Sequence, residues 1–252
     1  MAPNQNVGRP PWAAAGPLAG FGRFQKLGVP GQGARRGPGG PPHSSSKYWL
    51  AALLLLTAGC GGAIPKTHYY VLSLPAPPPQ TREPAAYSAA VMPFRAPDQL
   101  EQDRIVYRPS PVEVDFYEYH RWAERPASTL TSALAARLRS QRLFSTVGIF
   151  DGKGKPDYLI RGRIDRLEEV DSPEGVSVRI ELSAEAVDGK SLKTVWTGAA
   201  SHSGAVSQNE VKAVVTEISR GVDACLTQLT TSLESFVRSL PPAPVPASGG
   251  SQ

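Results

Sequence analysis

The chain has 252 residues, a length that suits one globular domain with additional segments, and its formal net charge is +5 at neutral pH. That charge is unevenly placed, because residues 1–59 hold six basic residues and no acidic one, whereas the remaining 21 basic residues face all 22 acidic residues. The part after residue 59 therefore carries a net charge of −1. This balance excludes nucleic-acid binding through a bulk positive field.

The first segments of the chain have the composition of a leader and a targeting signal. Residues 1–46 are rich in glycine and proline and show no apolar periodicity, so they are predicted to be a disordered leader or the product of a wrongly assigned start codon. Residues 47–59 are predicted to be a lipoprotein signal peptide. One lysine precedes their apolar run, which is too short to span a bilayer.

The signal peptide ends in Thr57-Ala58-Gly59-Cys60, and small residues followed by cysteine resemble a bacterial lipobox. We therefore expect cleavage between Gly59 and Cys60, and lipidation of Cys60 by diacylglyceryl and amide-linked chains such as palmitate. Thr57 stands where leucine is usual, so an ordinary signal peptide cleaved nearby is the alternative. Several acyl chains anchor a protein stably, whereas one chain binds only marginally.

The remaining chain is predicted to form one α+β domain, residues 66–240, after a lipidated tether at residues 60–68. Period-two runs bounded by proline and glycine predict strands, and apolar residues every three or four positions predict helices. The predicted strands are 69–74, 87–94, 104–107, 112–122, 143–150, 158–165, 176–186 and 192–202, and the predicted helices are 126–142 and 207–239. Residues 241–252 are predicted to be a disordered tail.

Two apolar helix stripes must be buried together, which predicts a mixed, mostly antiparallel sheet with both helices packed on one face. The helix 207–239 is expected to begin with a capping box formed by Ser207 and Glu210, and Gly221 could bend it. Cys225 falls on its apolar stripe, where free cysteine behaves as a small hydrophobic residue. A disulfide with Cys60 is therefore not expected.

The strand 112–122 is unusual because aromatic residues fall on both of its faces. Strict alternation places Val112, Val114 and Phe116 on the apolar face, continued by Glu118, His120 and Trp122. The opposite, solvent-exposed face is then expected to carry Glu113, Asp115, Tyr117, Tyr119 and Arg121. Tyrosines flanked by charges are typical of protein interfaces, so this face is predicted to bind a partner, with ordinary packing as the alternative.

The sequence contains no pattern that predicts an enzyme, a metal site or a cofactor. His68, His120 and His202 have no second histidine or cysteine at ligand spacing, and no G-x-S-x-G elbow occurs. His202 and its two serine neighbours are expected on opposite faces of a strand. Four acidic residues are interpreted as a solvated turn rather than a catalytic dyad: Asp165, Glu168, Glu169 and Asp171.

Three short segments carry a family resemblance: His68-Tyr69-Tyr70-Val71-Leu72, Ile105-Val106-Tyr107-Arg108, and Tyr117 to Trp122 with Pro126 opening a helix. In these segments the sequence resembles the ABC-type transport auxiliary lipoproteins, the PqiC-like proteins that accompany MCE-domain lipid transporters. The resemblance spans roughly residues 60–240. It implies a non-enzymatic accessory component of an MCE-type ABC transporter that moves lipids between the inner and outer membranes.

The resemblance also implies partners and a location. The partners are the MCE-domain subunit and the ABC permease, or a second copy of the chain in a homo-oligomeric ring, and the membrane is reached through acylated Cys60. The residue after the cysteine is Gly61 and not aspartate. By resemblance to lipoprotein sorting, this implies the periplasmic face of the outer membrane rather than the inner membrane. The alternatives are a lipoprotein scaffold or regulator in outer-membrane or cell-wall assembly and, third, a lipid-modifying hydrolase.

We expect mass spectrometry of the full chain, extracted from membranes of a bacterial host, to show an acylated Cys60 as the mature N-terminus. The Cys60→Ala variant is the control, and it should retain its signal segment and carry no acyl chain. An unmodified, water-soluble product of the wild-type chain would contradict lipidation at this position.

Overall fold

The structure is a computed structural model that describes residues 65–208 and 210–241. Two helices, α1 (Pro126–Ser140) and α2 (Val211–Ser239), and one turn of 3-10 helix at Asp98–Leu100 accompany an eight-stranded sheet. The strands are β1 (His68–Tyr70), β2 (Ala85–Val91), β3 (Arg104–Ser110), β4 (Glu113–Trp122), β5 (Phe144–Ile149), β6 (Tyr158–Ser172), β7 (Gly175–Asp188) and β8 (Thr194–Ala205).

Strand β6 organises the sheet, because it pairs with other strands along both of its edges. On one side it pairs antiparallel with β7 over its whole length, and β7 pairs antiparallel with β8. On the other side it pairs in parallel with β2 near its start and with β3 near its end. The sheet continues from that side in two arms. One arm consists of β2 and β5, which pair in parallel. The other consists of β3, β4 and β1: β3 pairs antiparallel with β4, and β4 pairs in parallel with β1.

The expected α+β fold with a mixed sheet is confirmed, and antiparallel pairings contain most of the registered residue pairs. Both helices pack on one face of this sheet, α2 across β7 and β8 and α1 against β5 and β2. The strands alternate accordingly: Ile160 and Ile164 of β6 are fully buried, whereas Arg161 and Arg163 between them are exposed. No helix of the described ranges is both long and apolar enough to cross a membrane.

The start of α2 differs from the prediction. The helix begins at Val211, its N-cap is Glu210, and no side chain makes a capping hydrogen bond, so the expected capping box is wrong. α2 also runs without interruption through Gly221. A Cβ at this position would lie 2.5 Å from Cδ2 of His202 and 2.7 Å from Cδ1 of Ile180, so glycine allows the helix to approach the sheet closely.

The apolar stripe of α2 is buried along its whole length. Ile218, Val222, Leu226 and Leu233 are each at most 2% exposed, and they cover the inner face of β7 and β8. Cys225 belongs to the same stripe and is 1% exposed, and burial raises the pKa of its thiol to about 11. Its environment matches the expected role of a small hydrophobic residue.

We expect Leu134→Asp in α1 and Leu226→Asp in α2 each to lower the free energy of unfolding by at least about 4 kcal/mol, because each places an unpaired charge in the core. Urea unfolding followed by circular dichroism measures the change. Ala136→Asp and Gln228→Asp are matched controls on the exposed sides of the same helices, and they should change stability by less than about 1 kcal/mol. Wild-type stability in either core variant would show that its helix does not pack as described.

Candidate interaction surface

Strand β4 contains a bulge that reverses the alternation of its side chains. Between the pairs Arg104↔Arg121 and Val106↔Phe116, β3 advances by two residues while β4 moves by five. An odd number of extra residues moves every later side chain to the opposite face. Side chains before and after residues 118–119 therefore follow two different alternations, and the single period-two interpretation of this strand is wrong.

As a consequence Tyr117 lies in the core and not on a solvent-exposed face. It is 5% exposed, and its hydroxyl donates a 2.8 Å hydrogen bond to Oε2 of Glu169, which is fully buried. The Tyr107 hydroxyl donates to Oδ2 of Asp115 at 2.9 Å, and the two tyrosine rings lie 5.0 Å apart. The predicted exposure of Tyr117 is thus contradicted, and Asp115 is engaged in the same inward-facing group.

The bulge also brings His120 to this inner side. Its ring stacks on His68 of β1 at 5.3 Å, and its Nδ1 lies 2.9 Å from the Tyr70 hydroxyl. The Tyr117 ring meets it edge-on at 5.5 Å. Burial, followed by the neighbouring His68, lowers the pKa of His120. The neutral form is thereby favoured, and this partly buried histidine joins β1 to β4 through its contacts with His68 and Tyr70.

The outer side of β4 presents aromatic rings and arginines. The Arg104 guanidinium carbon lies 5.1 Å from the centroid of the half-buried Phe116 ring. Arg121 pairs with Asp103 at 3.0 Å, and both side chains are accessible. Tyr69 of β1 stands beside Arg121 in the register and is 65% exposed. Tyr69 was not among the predicted interface residues, because its place on this side follows from the pairing of β1 with β4 and has no local signal in the sequence.

We call this side the β4 surface and define it by five residues: Tyr69, Arg104, Phe116, Tyr119 and Arg121. Tyr119 lies in the bulge and is partly exposed, and a hydrogen bond to Glu118 raises the pKa of its phenol. Glu113 is exposed at the start of the strand. Of the predicted interface residues, the structure thus leaves Glu113, Tyr119 and Arg121 accessible.

The acidic residues interpreted as a solvated turn occupy strand β6 instead. The Glu168 side chain is 2% exposed and receives two hydrogen bonds from Arg108, each 3.1 Å long. Arg166 lies 3.4 Å from its Oε1. Glu169, the next residue, points to the opposite face and is buried with Tyr117. These carboxylates can be buried because hydrogen bonds from Arg108 and from the Tyr117 hydroxyl offset the cost of removing them from water.

The other residues considered as candidates have structural partners. His202 Nε2 lies 3.0 Å from Oε1 of Glu217, while Ser201 and Ser203 are exposed, so the predicted separation of serine and histidine is confirmed. Burial would raise the pKa of Glu217, but hydrogen bonds from Arg220 and His202 outweigh it and lower the pKa. No group of potential metal ligands occurs among the described residues. Gly59 and Cys60 lie outside the described residues.

Comparisons with known proteins give a family, from one family model, and a fold, from two solved structures. The family model of the ABC-type transport auxiliary lipoprotein component matches residues 70–230, more than half of the chain. Protein XCC0632 from Xanthomonas campestris has a similar structure, with a TM-score of 0.61 and 18% identity over 69% of this chain and 99% of that chain. The structure of an uncharacterized protein is also similar, with a TM-score of 0.53 and 17% identity over 68% of this chain and 99% of that chain. These two likenesses establish the fold. No significant relative was found among curated proteins.

We expect Tyr117→Ala to lower the free energy of unfolding by about 3–5 kcal/mol, because it removes a buried ring together with its hydrogen bond to Glu169. Tyr119→Ala, a change of the same chemistry two residues away, should cost less than about 1 kcal/mol. Chemical unfolding of both variants measures the difference. Equal stability of the two would contradict the bulge and restore the original alternation.

Proposed function

The chain belongs to the family of ABC-type transport auxiliary lipoprotein components, and we propose that it is a non-enzymatic accessory subunit of an MCE-type ABC transporter that moves lipids between the inner and outer membranes. The family is one of auxiliary components and not an enzyme family. A lipoprotein component acts at a membrane, and we propose that acylated Cys60 holds this one on the periplasmic face of the outer membrane.

The β4 surface is the observation that carries this proposal. Protein interfaces are enriched in tyrosine, phenylalanine and arginine at their centres, and the β4 surface consists of these residue types alone. The exposed ring of Tyr69 is one of the few large apolar groups that the described part of the chain leaves in water. Asp103 and Glu113 are charged residues at the rim of this surface. They would determine how a partner is aligned on it, and would add little to the affinity.

We propose that the occupant of the β4 surface is the MCE-domain subunit, and that the ABC permease belongs to the same complex. A second copy of the chain is the other proposed partner, in a homo-oligomer that leaves the β4 surface free. An auxiliary protein of this kind needs no catalytic group of its own. Its contribution is to hold the transporter at a fixed place between the membranes.

We expect Tyr69→Ala combined with Tyr119→Ala to weaken binding of the full chain to the purified transporter by roughly 2–4 kcal/mol, because both rings would sit at the centre of the interface. This corresponds to about a 30- to 1,000-fold increase in the dissociation constant. Biolayer interferometry with the lipoprotein in detergent measures it. Unfolding of the double variant should follow that of the wild type, since both side chains are accessible.

Leu192→Ala is the matched control, because Leu192 is 69% exposed in the turn between β7 and β8, away from the β4 surface. The affinity of the Leu192→Ala variant for the transporter should equal that of the wild type. Wild-type affinity of the double tyrosine variant would exclude the β4 surface as the contact. If neither the permease nor the MCE-domain subunit co-purifies with the wild-type chain, the transporter function itself is wrong.

A further inference from the structure

Strand β8 forms an edge of the sheet that lacks the usual protection. Within the described ranges it pairs only with β7. Its twelve residues, Thr194–Ala205, include no acidic residue, lysine, arginine or proline. Edge strands of monomeric proteins are commonly protected by lysine, proline, bulges or covering segments, because their unpaired N–H and C=O groups accept another strand. The one register shift against β7 lies at the start of β8, and the rest of the strand is regular.

The outward side chains of β8 also leave room for a neighbouring chain. They are small and exposed along the regular part of the strand: Thr197, Ala199, Ser201 and Ser203. The inner side chains contact α2, as shown by His202 with Glu217 and by Trp196, whose indole N–H donates to Ser232 Oγ at 3.3 Å. β8 is thus held in place on one face while its edge remains open.

A second unprotected edge lies on the other side of the sheet. β5 pairs only with β2 among the described strands, and its six residues, Phe144–Ile149, also lack charge and proline. Thr146 and Gly148 are exposed, and Ile149 is 49% exposed. One chain therefore carries two open edges, each able to extend the sheet by main-chain hydrogen bonds.

The topology determines the direction in which two such edges could meet. β5 runs parallel to β2, and β2 runs parallel to β6. β8 also runs in the direction of β6, since two antiparallel pairings separate them. A rotation about an axis along the strands keeps these directions, so the β8 edge of one copy would meet the β5 edge of the next as a parallel pair. Such head-to-tail contacts close into rings or continue as filaments.

We propose that β8 pairs in parallel with β5 of a second copy of this chain. A two-fold β8–β8 contact would leave both β5 edges open, whereas the head-to-tail contact covers an edge of each kind at every interface. The proposal specifies the surface of the self-association included in the proposed function. It does not depend on the transporter or on the β4 surface.

Disulfide cross-linking of the full chain in membranes tests this pairing. Two differently tagged copies are co-expressed without the transporter genes, one with Thr146→Cys and the other with Thr197→Cys, Ala199→Cys or Ser201→Cys. We expect a mixed-tag, disulfide-linked dimer for at least one of the three β8 positions after oxidation. The buried Cys225 does not compete, and copies with native cysteines alone give the background.

Ser183→Cys is the matched control, because Ser183 lies beside Ala199 in register but one strand further from the edge. That extra strand spacing, about 4.8 Å, puts its Cα beyond the roughly 7 Å reach of a disulfide to Thr146→Cys of a neighbour. Ala199→Lys should abolish the cross-link between Thr146→Cys and Thr197→Cys, whereas Ser183→Lys should leave it. A dimer formed only between two β8 cysteines, or no mixed dimer at any of the three positions, would overturn the proposal.

Discussion

Two adjacent glutamates hold one arm of the sheet to the rest of the protein. The parallel pairing between β3 and β6 consists of only two registered residue pairs, yet β3 carries β4 and β1 with it. At this junction Glu168 binds Arg108 on the outer side, and Glu169 accepts the Tyr117 hydroxyl on the inner side. Because neighbouring side chains of a strand point in opposite directions, both faces of the junction are tied at once. The position of the β4 surface depends on these contacts.

Most of the elements could be predicted from the sequence, because each has a clear local signal. Pro126 begins α1 as expected. The alternation of β6 and β7 was recognisable because one face of this part of the sheet is buried and the other is exposed to solvent. The recurrence of apolar residues located α2, although the capping pair Ser207 and Glu210 did not mark its start. Composition alone excluded a bulk positive field.

The details of the candidate site were not predictable, because they depend on contacts between distant residues. Nothing within residues 112–122 reveals that three extra residues are accommodated, since an aromatic side chain suits either face of the strand. The two buried glutamates resembled a solvated turn because their partners lie far away in sequence, 60 residues for Arg108 and 52 for Tyr117. Once the bulge is known, the burial of Tyr117 follows from the alternation, whereas the exposure of Tyr69 follows from its register with Arg121.

With Cys60 as the membrane anchor, as proposed, the parallel pairing of β1 with β4 would limit how far the domain reaches from a membrane. His68 is in register with His120, so the first strand starts beside the middle of β4. His68 follows Cys60 by eight positions, and a fully extended chain of eight residue steps spans at most about 26–29 Å. With Cys60 as the anchor, the extended length of this tether would be the largest distance between the start of β1, next to Tyr69, and the membrane surface. On that proposal, a partner that binds there would have to extend to the bilayer surface, because the tether would be too short for the domain to cross the periplasm.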